Sequence, residues 1–314
     1  MKITNITYKT AYTQKNVNKT NENLSFKAYT FYPQGAKKTI ADLNPIKAGV
    51  DKIIERTLLI ANMRVKKLAP NLEGITQTIK LNDKAGKPLT YAWDINPDNR
   101  QKYLLFLHGT GQNITNLQPM YKTLVDNTKF ALFVPEFRGM GANPQAPLSS
   151  KRFLEDATSA LEFLKSKGIE SKDIVVAGHS LGAQIAANLA SKNKDLGGVV
   201  LMSPIDSFLK NMSLDDSLKN STSRLARFLQ KRSEFLNKDF DEFYAVGRLM
   251  KKIESPVSII HSKDDNFVQA ISAQQVAAKC KNLHSLAIVN EGSHKLEKNK
   301  IDAFISALDS ILGE

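Results

Sequence analysis

Asp173 to Ala183 reads DIVVAGHSLGA, and it carries the strongest structural signal in this 314-residue chain. Its centre, Gly178-His179-Ser180-Leu181-Gly182, fits the pattern G-x-S-x-G. Matches this short arise by chance, so the flanks decide. Ile174 to Ala177 is a short β-branched apolar run of the kind that forms a strand buried on both faces. Leu181 to Ser191, LGAQIAANLAS, is alanine-rich and favours helix. Ser180 is therefore expected on a sharp turn between strand and helix, in strained backbone geometry that requires glycine on both sides. The free N–H groups and positive dipole end of the helix would face the serine.

Working outward, the chain from Gly74 alternates strand and helix. ITQTIKL and LTYAWDI flank a hairpin-like turn at residues 82–87. Strands are expected at Tyr103–Leu107, Phe130–Val134, Ile174–Ala177, Gly198–Met202, Pro256–His261 and Ser285–Val289. Helices are expected at Leu117–Val125, Ser150–Lys167, Leu181–Ser191, Ser272–Lys281 and Ile301–Leu312. This alternation implies a mostly parallel sheet with helices on both faces, built as one domain over 71–314. Residues 206–252 break it. They are helical in character with no intervening strand, as expected of a small helical cap over the C-terminal strand ends, where open α/β sheets bind ligands.

The net charge of +13 divides unevenly. Residues 1–70 hold 13 Lys and Arg against 4 Asp and Glu, whereas 71–314 hold 31 against 27. The excess thus belongs to an N-terminal appendage, and no nucleic-acid motif accompanies it. Residues 1–40 have Glu22 as their only acid and no sustained periodicity, which reads as a disordered basic tail. Residues 41–70 read as a basic amphipathic helix, with Val50, Ile53, Ile54, Leu58, Ala61 and Val65 at helical spacing. Two readings stay open for its core, 46–68: packing on the catalytic domain, or peripheral docking on anionic lipid or a protein partner. No run approaches 18 apolar residues and there is no secretory h-region, so a cytoplasmic protein is expected. The single cysteine, Cys280, excludes an intramolecular disulfide and a cysteine-based zinc site. It is expected in a helix, as a small buried residue.

A serine hydroxyl needs a base, and the base needs an orienting carboxylate. Asp264 and Asp265 lie just beyond one expected strand, in SIIHSKDDNFV, and His294 beyond the next, in IVNEGSHKL. Loops at that end of a sheet can bring these residues to Ser180. His108 is expected as a hydrogen-bonding scaffold. His179 is expected to point away from the serine and pack, and His261 and His284 to be structural.

The motifs LLFLHGTGQN, VPEFRGMGAN, VAGHSLGA, LMSPIDSF, PVSIIHSKDDNFV and GSHKL stand in an order that resembles the α/β-hydrolase superfamily. Over about residues 74–314 the chain is most similar to intracellular serine hydrolases that include depalmitoylating thioesterases and related esterases. The resemblance implies an α/β-hydrolase fold with Ser180 as nucleophile and His294 as general base and then acid. In the family pattern G-x-x-D-x-x-V the aspartate precedes valine by three, which selects Asp265 before Val268 over Asp264. The implied oxyanion hole uses the backbone N–H groups of Leu181 and Thr110. Departures are Ser262 for glycine, Gln269 for proline, Glu136 for aspartate and Asn143 for serine. The expected activity is hydrolysis of an ester or thioester, on a small-molecule or acylated substrate, without metal or organic cofactor. A peptidase, an amidase or an acyltransferase with the same triad, and an inert hydrolase-fold binding protein, are the alternatives.

Overall fold

The computed structural model describes residues 72, 75–83, 85–98, 102–141, 149–207 and 245–313. The basic tail, the amphipathic helix and most of the expected cap (208–244) lie outside the described residues, as does Asn143.

Eight strands form one sheet in the order β1-β2-β4-β3-β5-β6-β7-β8. They are β1 (Thr76–Asn82), β2 (Pro88–Ile95), β3 (Lys102–Leu107), β4 (Phe130–Pro135), β5 (Ile174–His179), β6 (Gly198–Met202), β7 (Val257–Ser262) and β8 (Leu283–Val289). The first two pair as an antiparallel hairpin, and β2 joins β4 antiparallel. Every other pairing is parallel. The edge strand β1, TQTIKLN, is polar and partly exposed, which limits edge-to-edge pairing. The inner strands β4, β5, β6 and β7 are buried at every position. That matches their continuous apolar runs.

Five helices cover the sheet among the described residues: α1 (Gln118–Asn127), α2 (Ser150–Ser166), α3 (Leu181–Ala190), α4 (Ile271–Lys279) and α5 (Lys298–Leu312). One core gathers Phe153, Leu161 and Leu164 of α2, Ile185 and Leu189 of α3 and Val276 of α4 against one sheet face. The other gathers Tyr121 and Leu124 of α1 with Phe304 and Leu308 of α5 on the opposite face. All ten residues of α3 are buried. Its alanines let neighbouring elements approach from every side, so the helix after Ser180 is a central strut.

Two sequence expectations need correction here. Cys280 is not helical: α4 ends at Lys279, Cys280 is its extended C-cap (φ −74, ψ 124), and the thiol is half-buried. Leu249, expected on a cap helix, is buried in the main core beside Val246 and Met250, in a turn that ends in a short 3-10 helix. The Val246 N–H donates to the Ile205 carbonyl, which draws this turn to the end of the sheet. No helix among the described residues is long and apolar enough to cross a membrane.

Phe304 is fully buried, with its ring centroid 6.1 Å from that of Phe106 on β3. Phe304→Ala should cost about 3–5 kcal/mol of stability, read from urea unfolding. A cost near zero would mean that α5 does not pack as described.

Candidate active site

Ser180 has φ 53 and ψ −115, a conformation that side chains rarely adopt. It caps α3 directly after β5, and its N–H donates to the Met202 carbonyl at the end of β6. Both glycines of the pattern are sterically obligatory. A Cβ on Gly178 would come 2.1 Å from the Gly182 carbonyl oxygen, and one on Gly182 would come 1.9 Å from that of Leu107. The α3 backbone therefore touches β3 and β5 closely enough to hold Ser180 at the tip.

The loops after β7 and β8 bring two more groups to it. His294 Nε2 lies 2.9 Å from Ser180 Oγ, and His294 Nδ1 lies 2.8 Å from Asp265 Oδ2. The Phe267 and Val268 amides donate to Asp265 Oδ1 at 3.0 and 2.8 Å, and Ser203 Oγ donates to Oδ2 at 3.2 Å. Burial alone would raise the Asp265 carboxyl. The hydrogen bond and charge of His294, the Val268 amide and the charge of His261 outweigh it and hold the group at about 2. An ionised carboxylate only accepts, so the His294 proton belongs on Nδ1, leaving Nε2 to accept from the serine hydroxyl.

Asp264 has a different position. Its carboxylate accepts from the Ser293 and Gly292 amides at 2.9 and 3.3 Å, so it ties down the loop that carries His294. The two neighbouring aspartates thus act on one residue, Asp265 on the His294 ring and Asp264 on the backbone just before it. The valine three residues after Asp265 matters through its amide.

Leu181 directly follows Ser180, and Gly109, next to Thr110, lies against the elbow, where a Cβ would come 2.9 Å from the His179 carbonyl oxygen. The N–H groups of Thr110 and Leu181 have no hydrogen-bond partner among the described residues. The loop of Thr110 is held from within, because the Gly109 N–H donates to Gln112 Oε1 at 2.6 Å and the Gln112 N–H donates to the Gly109 carbonyl at 3.2 Å. His108, fully buried, places Nε2 2.9 Å from Glu136 Oε1, the scaffold role expected of it. Glu136 stands where the family has aspartate, and it fits because Gly141 leaves room. A Cβ there would come 2.0 Å from Glu136 Oε2.

His179 does not point away from the serine, contrary to expectation. Its Nε2 donates to the His294 carbonyl at 2.9 Å, its Nδ1 lies 3.2 Å from Gln112 Oε1, and its ring centroid is 5.2 Å from that of His294. Burial first, then the charges of His294 and Lys300, push its pKa well below the ordinary histidine value and keep it neutral. His179 thus holds the base loop through its one N–H and packs beside Gln112 of the Thr110 loop. The alternation of side chains along a strand fails at the elbow, which is why the sequence misplaced it. The remaining histidines are structural: His261 Nε2 donates to the Val268 carbonyl, and His284 bonds Ser310 Oγ. No group of three or more His, Cys, Asp or Glu among the described residues is disposed to hold a metal ion.

A family model described as serine aminopeptidase S33 matches residues 98–241. The human alpha/beta hydrolase domain-containing protein 17B is 22% identical over 182 residues, 58% of this chain and 56% of that protein. The Arabidopsis thaliana alpha/beta hydrolase domain-containing protein WAV2 is 32% identical over 108 residues, 33% of this chain and 35% of that one. The chain therefore spans only about half or a third of the lengths of these relatives. Among solved structures, an esterase of Pyrococcus furiosus superposes with a TM-score of 0.61 at 18% identity, covering 80% of this chain and 95% of that one. A bacterial membrane phospholipase A superposes at 0.56 and 16% identity, covering 87% and 97%. With the sheet order and the elbow, these likenesses show an α/β-hydrolase fold.

Gly182→Ala should destabilise the fold by about 1–3 kcal/mol, because the methyl group meets the Leu107 carbonyl. Urea midpoints compared in the presence and absence of Ser180 (Ser180→Ala background) should show the same loss. A stable Gly182→Ala protein would contradict the close packing at the elbow.

Proposed function

We propose that this protein is a serine hydrolase that cleaves carboxylic esters or thioesters through an acyl-enzyme. The observation that carries the reading is the hydrogen-bonded line Ser180 Oγ, His294 Nε2, His294 Nδ1, Asp265 Oδ2, with contacts of 2.9 and 2.8 Å.

In this reading Ser180 Oγ attacks the substrate carbonyl carbon while His294 Nε2 takes the hydroxyl proton. The carbonyl oxygen becomes an oxyanion, which the Leu181 and Thr110 N–H groups and the N-terminal end of α3 stabilise. Collapse breaks the bond to the leaving group, and His294 returns the proton to it. Water then attacks the acyl-Ser180 ester with His294 again as base, releasing the carboxylic acid and regenerating the serine. Asp265, ionised and pinned by two amides, orients the imidazole and offsets the charge it gains.

Phe267 supports an apolar acyl or leaving group. It is 47% exposed, and its ring lies 4.7 Å from that of His294. An exposed aromatic side chain beside a reacting histidine suits an apolar substrate better than a charged one. A second reading, peptide or amide cleavage with the same triad, is favoured by one observation, the serine aminopeptidase description of the matching family.

Ser180→Ala should lower kcat on a p-nitrophenyl ester by a factor on the order of 10⁴ to 10⁶. Turnover unchanged from wild type would contradict the reading. Comparing p-nitrophenyl esters and aminoacyl p-nitroanilides on the wild-type chain separates the two substrate readings, and faster ester turnover is expected.

A further inference from the structure

Lys300, on α5, is fully buried. A buried ammonium is costly unless it is paired and hydrogen-bonded, so its partners show what it is kept for. Its Nζ donates to Ser203 Oγ at 3.0 Å and to the Ser293 carbonyl at 2.5 Å, and lies 3.9 Å from Asp265 Oδ2. Ser203 passes the contact on, donating its hydroxyl to the same Asp265 oxygen. Ser293 directly precedes His294 in the chain. One ammonium therefore reaches both the acid and the base of the triad from behind, without touching the serine.

Backbone strain gathers at the same place. Ser203 (φ 49) and Ser293 (φ 43) are two of the four non-glycine residues with positive φ among the described residues, and Ser180 is a third. Such conformations persist only where surrounding contacts over-determine them. Both of the strained serines other than Ser180 hold a Lys300 hydrogen bond. Gly292 (φ 143), just before Ser293, takes a backbone conformation that side chains rarely adopt, and a Cβ there would come 2.9 Å from Ser262 Oγ.

We propose that Lys300 is a positioning residue of the triad: its ammonium clamps the Asp265 and His294 loops together and sets the lower end of the pH range in which His294 can serve as base. The inference rests on the acyl-transfer reading of Ser180, His294 and Asp265. The charged and titratable groups around Lys300 are Asp265 and Asp264 after β7, Glu297 at the start of α5, His261 in β7, and His179 and His294 at the site. Burial lowers the Lys300 pKa from its ordinary value to about 8, against the pull of Asp265, Asp264 and Glu297, so the group carries its charge through neutrality. A fixed positive charge behind the carboxylate opposes protonation of the imidazole that the carboxylate holds. Removing that charge makes the base easier to protonate, so the protein should lose activity at higher pH on acidification.

The test is the kcat/KM–pH profile of the full chain on p-nitrophenyl butyrate, for wild type, Lys300→Met and Lys300→Gln. The two variants lose the charge. Lys300→Gln keeps a donor and serves should the Met variant fail to fold. The acid limb of either variant should move about one pH unit towards neutral, the order expected for loss of a nearby unit charge in a partly screened site. At the plateau kcat should fall about tenfold with KM nearly unchanged, since the clamp orients the base without touching substrate. A Lys300→Arg variant that folds should keep the wild-type acid limb. An acid limb that stays at the wild-type pH in a folded, uncharged variant overturns the proposal and leaves the acyl-transfer reading standing. A wild-type chain that neither turns over the ester nor reacts with a fluorophosphonate overturns both.

Discussion

A steric constraint at one turn underlies the rest of this structure. Ser180 can sit at the tip between β5 and α3 only because Gly178 and Gly182 carry no Cβ, and each missing atom would otherwise fall within about van der Waals overlap of a main-chain carbonyl. The close approach makes α3 a fully buried strut, and it fixes Ser180 at a positive φ that no free chain would choose. The position of the nucleophile is thus set by backbone contacts and not by its own side chain. Everything else in the site has to be brought to that point.

Four parallel strands in succession, β5 to β8, do that work. Parallel pairing places all their C-terminal ends on one rim, so the turn after β5, the Asp265 loop after β7 and the His294 loop after β8 emerge as neighbours. Each loop is then secured by polar contacts that leave the reacting atoms free. Asp265 is pinned by the Phe267 and Val268 amides, the His294 loop by Asp264 and Lys300, and the Thr110 loop by Gln112. His179 donates to the His294 carbonyl and packs beside Gln112, between the last two loops. The electrostatic consequence is a carboxylate kept ionised far below neutrality and an imidazole whose proton has one place to reside.

The parts of this arrangement that were legible in the sequence are those encoded locally. Apolar runs marked the buried strands, alanine content marked α3, and the glycines around Ser180 announced the turn. Chain order then put an acid and a histidine after successive strands. What the sequence hid depends on tertiary neighbours. The valine spacing of the resemblance pointed to Asp265, but that Asp264 takes the Gly292 and Ser293 amides ahead of His294 is a matter of loop geometry alone. His179 was misplaced because the elbow interrupts strand alternation. Lys300 looked like one more lysine in the basic run KLEKNK, since nothing local distinguishes a solvated ammonium from one turned into the core. Ser203 and Ser293 gave no sign of their positive φ, which arises from the contacts around them.

The central claim is that Ser180 is a nucleophile activated through His294. Its most direct test is covalent capture by a fluorophosphonate, followed by intact-mass measurement and mapping of the modified peptide. The account predicts one adduct per chain, located on Ser180, and slow or absent reaction when His294 is replaced by alanine. A folded wild-type chain that stays unmodified, or that carries the adduct on another residue, would contradict it.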